Sequence, residues 1–468
     1  VSTPLEARRQ LDRLENRIGR MVAQTSDPDA HRVSDALRYT LSFARLSTVN
    51  ARDGREVALG PRLADHAAQV RSMLSSRVDT ARNIWDLARS VPTLSAWTRH
   101  ARQSLLDDGL IDRDSLEEEV CSRKLVVASG GGGGAGYVYP GVYEVLERTG
   151  LVPDLMVGTS IGSLMSMFRA RRRRYDPAPM VAAARSLAWS NVFRVLETEN
   201  RYGLPASLRL YLRAALGYLF KRPDSTPLWL SDLEIPLYVV ATGITVDALK
   251  HDLGYYEHLL DDELGQSWRS KVSGVVKVMT IFREFMQRPD ALAEVVLGRD
   301  PGTEDFDVLD AAGFSAAIPG VIHYDVLRDD QRMKRILDAL YQNRGITRLG
   351  EGGMISNVPA RIGWEAVATG RLGRRNSFVL ALDCLAPNPR QPAWLPLALA
   401  VRAANVDADR YYADSYITFP QSLSPMNLVP PIRDFLLAMQ WGREAVAAEV
   451  PFIREMMRPI PVLGVGHG

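Results

Sequence analysis

Cysteine is almost missing: Cys121 and Cys384 are the only two in 468 residues. That excludes a disulfide-stapled fold and favours a reducing compartment. No apolar run reaches the ~18 residues of a membrane span, so no transmembrane helix is expected. The formal net charge is only +2, which gives no global attraction for nucleic acid and leaves any membrane attraction to local patches. The first ten residues are charged and contain no apolar segment of the kind found in a secretory leader, and the sequence starts at Val1 without a methionine, as it would if an upstream piece preceded it. His, Cys and acidic residues nowhere cluster at ligand spacing, so neither a metal nor any other cofactor is expected. A cytoplasmic chain, peripherally membrane-associated, is expected.

Apolar residues make up 46% of the chain, enough for a full core. The length suits one large α/β domain plus something smaller. Residues 124–168 organise the rest. Lys124–Ser129 is a β-branched run that reads as a buried strand. It enters a glycine loop, Gly130–Gly136, followed by an amphipathic helix carrying Val142, Val145 and Leu146. A second strand, Leu155–Val157, ends in Gly158-Thr159-Ser160-Ile161-Gly162, and a second helix follows. A G-x-S-x-G bend between strand and helix is a nucleophile elbow, whose glycines let the chain turn sharply enough to expose the serine hydroxyl. Consecutive glycine N–H groups upstream can point at one spot and hold a developing oxyanion. The loop also fits G-x-G-x-x-G, but Asp154 precedes the second strand instead of ending it, where a dinucleotide site needs its ribose-binding acid. The nucleotide reading fails on that point.

Two further stretches complete a pattern. Gly130–Gly136 and the elbow are followed by Phe314-Ser315-Ala316-Ala317-Ile318-Pro319-Gly320 and by Glu351-Gly352-Gly353-Met354-Ile355-Ser356-Asn357-Val358-Pro359. In this order they resemble the patatin-like phospholipase family, with its G-G-G-x-R/K-G, G-x-S-x-G, S-x-A-x-P and D-G-G-x-x-x-N-x-P segments, over about residues 121–450. The resemblance implies a three-layer αβα sandwich around a mainly parallel sheet. It also implies a serine–carboxylate dyad, with Ser160 as nucleophile, Glu351 as base, and an oxyanion hole from Gly131, Gly132, Gly133 and Gly134. The chain departs from the pattern twice: Ala135 stands where the loop has its basic residue, and Glu351 where the dyad has aspartate. The implied activity is hydrolysis of fatty-acyl esters, of phospholipase A or lysophospholipase type, on a phospholipid or lysophospholipid substrate. The two departures point to the alternative, a weakened or inactive lipid-binding or scaffold protein. Asp383, at the end of the strand Ser377–Leu382, is a fallback base, and His323 reads as structural.

Residues 1–120 carry apolar positions at helical spacing, behind start signals at Thr3-Pro4 and Asp27-Pro28. They predict an all-helical N-terminal module, able to take a protein partner, ahead of a catalytic domain over 121–468. A helical insertion is expected at about 255–300, with Phe282 and Phe285 on an apolar stripe that suits a lid or a membrane contact. The run Arg169 to Arg174 after the nucleophile helix reads as a solvated helix end, or, through Arg171, Arg172 and Arg173, as a contact to anionic head groups. The segment 394–457 is expected to be helical, with a break at Pro425–Pro431.

Overall fold

The computed structural model describes residues 4–195, 201–204, 206–245, 291–326 and 328–464. The chain forms two compact units. The first gathers Val1–Val126, Trp364–Val379 and Ala448–Gly468; the second holds Val127–Gly363 and Leu380–Ala447. A single cut at residue 120 therefore does not separate them, because two later segments fold with the N-terminal residues.

In the first unit the helices Pro4–Val22 and Pro28–Ala44 begin at the expected signals, and Gly60–Thr80 and Val91–Asp107 follow them. Asp27 caps the second, its carboxylate accepting the Asp29 N–H at 2.9 Å. Leu11, Ile18, Leu37, Leu41, Val70 and Leu74 interlock as one core cluster. The unit is not all-helical. Thr48–Asn50 (β1) and Glu56–Ala58 (β2) pair antiparallel, a hairpin around Asp53-Gly54 too short to show an alternating pattern. Glu15 is fully buried among Arg38, Arg45 and Arg123, and these cations hold its carboxyl down at about 2 against the opposing effect of burial. The returning segments are tied in by polar contacts. The indole N–H of Trp364 donates to Asp12 at 2.9 Å, and Arg38 pairs with Glu455 at 2.9 Å.

The main sheet comprises β3 (Lys124–Ser129), β4 (Leu155–Thr159), β7 (Leu237–Thr245), β8 (Leu292–Leu297), β10 (Ile346–Gly350), β11 (Ser377–Asp383) and β12 (Ser415–Thr418), in the order β10-β7-β4-β3-β11-β12 with β8 also on β7. A small sheet joins β5 (Phe193–Val195), β6 (Ala206–Leu210) and β9 (Gly320–His323). β4 runs parallel to β7 and β11 to β12, while β8 and β10 oppose β7. The architecture is a mainly parallel sheet flanked by helices, as expected. β4 and β11 are buried along their whole length and β3 from Leu125 onward, which is why they read as continuous apolar runs.

Two expectations need correction. The helical insertion at 255–300 ends in a strand: Leu292–Leu297 pairs with β7 from Leu292↔Ile244 to Leu297↔Val239, and its ladder decides the conformation of a run that local spacing left open. Residues 255–290, with Phe282 and Phe285, lie outside the described residues. The C-terminal stretch is likewise interrupted by β12, whose four residues pair with Leu380–Asp383 of β11.

Candidate active site

Each of three strands ends at the same place and delivers one piece of the site. β4 ends at Thr159, and Ser160 takes φ 54° and ψ −127° before the helix Ile161–Ala170. Among the described non-glycine residues only Ser160 and Ser225 have positive φ, a conformation costing roughly 1–3 kcal/mol that the surroundings must enforce. They do so at close quarters. A Cβ on Gly162 would lie 2.0 Å from the Ser129 carbonyl oxygen, and one on Gly158 2.5 Å from Ser163 Cα. The Ser160 N–H donates to Ser315 Oγ at 2.8 Å, and Ser315 donates in turn to the Val240 carbonyl at 2.5 Å.

β3 supplies the glycine loop. The Gly131 N–H donates to the Asn357 carbonyl at 3.0 Å and the Gly134 N–H to the Pro425 carbonyl at 2.9 Å. These two donors are committed to holding the loop, which leaves the N–H groups of Gly132 and Gly133 from the expected set of four. Their φ values of 155° and 54° lie in the region that favours glycine. A side chain at Gly133 would place Cβ 2.3 Å from the Pro425 oxygen.

β10 delivers Glu351. Its N–H donates to the Ala317 carbonyl at 3.0 Å, and its carbonyl accepts from Thr242 Oγ1 at 2.7 Å. The carboxyl is 3% exposed. Oε1 accepts a long bond of 3.4 Å from the Gly353 N–H, and Oε2 has no hydrogen-bond partner. Burial pushes the carboxyl up to about 8, opposed by the Ser160 hydroxyl beside it and by the Gly353 N–H. A Cβ on Gly131 would stand 3.1 Å from Ser160 Cβ and 3.5 Å from Glu351 Oε1. Serine, carboxyl and glycine loop thus converge within contact distance.

A family model for patatin-like phospholipases matches residues 127–364, just over half of the 468 residues. The chain belongs to that family. No curated protein matches it. In this member of a family of lipid acyl hydrolases the glycine loop, the elbow and the Glu351 turn take the spatial arrangement just described, while Ala135 puts a buried methyl where the loop's cation is expected. No positive charge is among the groups that act on Glu351.

An apolar cavity opens beside the serine, lined by Ser160, Met165, Phe168, Leu187, Leu216 and Phe435 among others. Other residues singled out in the sequence lie elsewhere. Asp383 accepts from the Tyr416 hydroxyl at 2.6 Å and the Leu385 N–H at 3.0 Å, so both its oxygens are engaged. Buried His323 bonds the Leu204 carbonyl at 2.7 Å through Nδ1. The arginines begin where the helix Ile161–Ala170 ends, about 15 Å from Ser160 at ~1.5 Å per residue. Arg169 is buried and caps that end, donating to the carbonyls of Arg172 and Arg173 at 2.9 and 3.2 Å. Arg171 stacks over Phe220 with 5.2 Å to the ring centre, and Arg172 lies 3.5 Å from Glu234. Exposed Arg173 donates its backbone N–H to the same Glu234. The structure does not bring this run to the serine. Among the described residues no group of acidic, His and Cys side chains is arranged to hold a metal, and no described helix is long and apolar enough to cross a membrane.

Proposed function

We propose that this chain cleaves fatty-acyl esters of phospholipids or lysophospholipids through an acyl-enzyme on Ser160. The observation that carries the reading is the Glu351 carboxyl, buried, unpartnered at Oε2 and set against the serine of a strained elbow. A structural glutamate would be paired or solvated; one kept dry beside a hydroxyl suits a base. In its ionised form Glu351 takes the Ser160 proton as Oγ attacks the ester carbonyl. The oxyanion forms against the Gly132 and Gly133 N–H groups. The alcohol leaves with the proton from Glu351; a water then gives its proton to the same carboxylate, attacks the acyl carbon, and releases the fatty acid as Ser160 is reprotonated. The lining of the cavity suits an acyl chain and offers little to a polar substrate.

A peripheral membrane contact belongs to the same reading. Phe435 lines the cavity, and the next two residues of the helix Ile432–Ala447, Leu436 and Leu437, stay 41% and 39% exposed. Exposed leucines beside an acyl cavity suit insertion among lipid chains.

Labelling with a fluorophosphonate, which reacts only with an activated serine, tests the enzyme against the scaffold alternative. The wild type is expected to label and to hydrolyse a lysophospholipid, and Ser160→Ala to do neither while melting normally. An unlabelled, inert wild type would establish the scaffold reading instead.

A further inference from the structure

The helix Leu395–Val401 does not continue as a regular α-helix. Arg402–Val406 forms a π turn, followed by one last α turn, Asp407–Arg410. Such turns are uncommon and concentrate at functional sites, because the extra residue per turn re-aims the side chains. Here the re-aimed side chain is Asn405. Its Oδ1 accepts the Asn357 N–H at 3.0 Å, and its Nδ2 donates to the Gly353 carbonyl at 3.1 Å. Four residues on, and so on the same face of the helix, Asp409 accepts the Ser356 hydroxyl and pairs with Arg361 at 3.3 Å.

Two side chains of one helix therefore hold three residues of the turn that follows Glu351. Those residues are not remote from the chemistry. Gly353 gives the Glu351 carboxyl its one backbone hydrogen bond, and the Asn357 carbonyl receives the Gly131 N–H that anchors the glycine loop. Asn405 thus touches both the support of the base and the support of the oxyanion loop without reaching substrate.

We propose that Asn405 is a positioning residue for ester hydrolysis, clamping the turn 351–357 so that the Glu351 carboxyl and the glycine loop stay in register with the Ser160 hydroxyl. This rests on the acyl-hydrolase reading above. A carboxyl one methylene longer than aspartate has more freedom to swing, and misplacement of about 1 Å at a reacting group costs ~10²-fold in rate. The turn carrying it needs an external brace, and the two-ended amide of Asn405 is shaped for that, accepting from one end of the turn and donating to the other.

The test compares wild type, Asn405→Ala and Asn405→Asp in the full chain, by steady-state hydrolysis of a p-nitrophenyl ester across pH, fluorophosphonate labelling and thermal melting. Asn405→Ala is expected to lose ~10–100-fold in kcat with KM nearly unchanged. The acid limb of its profile should move to lower pH, because a loosened turn admits water to the Glu351 carboxyl. Asn405→Asp has the same shape and keeps the acceptor for the Asn357 N–H, so it should fold and fall between the other two. Asp409 faces the same turn, and burial raises its carboxyl to about 6; Asp409→Asn should leave the acid limb in place, which assigns that limb to Glu351. Unchanged kcat and an unchanged acid limb in a folded Asn405 variant would overturn the clamp. So would a loss of activity matched by a lower melting point with no movement of the limb, since that is a packing role. An inert, unlabelled wild type instead marks failure of the hydrolase reading itself.

Discussion

The buried carboxyl of Glu351 leads to opposite pH trends in activity and stability. Its value of about 8 in the folded chain compares with 4.5 for the ordinary group. Only the ionised form can take the serine proton, so at pH 6 about 1% of the enzyme is competent, at pH 7 about 10%, and at pH 8 about half. The expected profile of kcat/KM for a neutral ester substrate rises nearly tenfold per unit from pH 6 to 7.5 and levels above pH 9. Stability runs the other way. Between 4.5 and about 8 the folded chain holds a proton that the unfolded chain has released, so this group's contribution falls as pH rises through that window, and below 4.5 it imposes no such cost. Glu351→Gln keeps the shape and removes the titration. It should lose at least ~10²-fold in activity yet melt above wild type at pH 8 to 9, with the gap closing toward pH 4.5. Initial rates and differential scanning fluorimetry over one pH series provide both curves. A rate that is flat from pH 6 to 9, or a fully active Glu351→Gln, would refute the assignment of Glu351 as base; a variant that melts no higher than wild type at pH 9 would refute the burial argument.

Two further outcomes follow from the loop and the helix. Gly133→Ala must place Cβ where the Pro425 oxygen stands and does so at a φ of 54°; the loop should shift, and loss of one oxyanion donor predicts a ~10²–10³-fold fall in kcat, read as turnover against retained circular dichroism. Leu436→Ser with Leu437→Ser should weaken sedimentation with neutral phosphatidylcholine vesicles and leave hydrolysis of a soluble short-chain ester unchanged. Binding by the double variant equal to wild type would remove these leucines from the membrane contact.

Much of the site was legible because its constraints are local. A strand that must turn sharply into a helix writes glycines into adjacent positions, and both the Gly130–Gly136 loop and the Ser160 elbow lie in such runs. Glu351 could be located for the same reason, since it opens a glycine turn at the end of β10. What stayed hidden depends on partners far along the chain. Gly131 and Gly134 look like their neighbours in sequence, and only their bonds to Asn357 and Pro425 distinguish them from the free donors. Ser315 lay within a recognised segment, but its grip on the Ser160 N–H has no local signal. Asn405 lies in no motif at all. β8 was obscured by the helical spacing upstream of it, and β12 by its brevity; each is a strand because of the ladder it joins.

The first unit joins segments that lie far apart in the chain. Its helix Pro28–Ala44 is complete only when Arg38 meets Glu455 and the carbonyl of Met456, and a Cβ on Gly19 would collide with the Met456 sulfur at 2.3 Å. On a ribosome adding about 5–20 residues per second, that helix waits roughly 20–80 seconds for its partners. Throughout that interval the face of the early helices meant for Val450–Met457 is open to solvent, and Arg38 lacks one of its buried counter-ions. Synthesis from the N-terminal side therefore leaves the earlier helices waiting for the later one. The expected consequences are a dependence on chaperones during expression and a lower melting point for any fragment ending before residue 448 than for the whole chain.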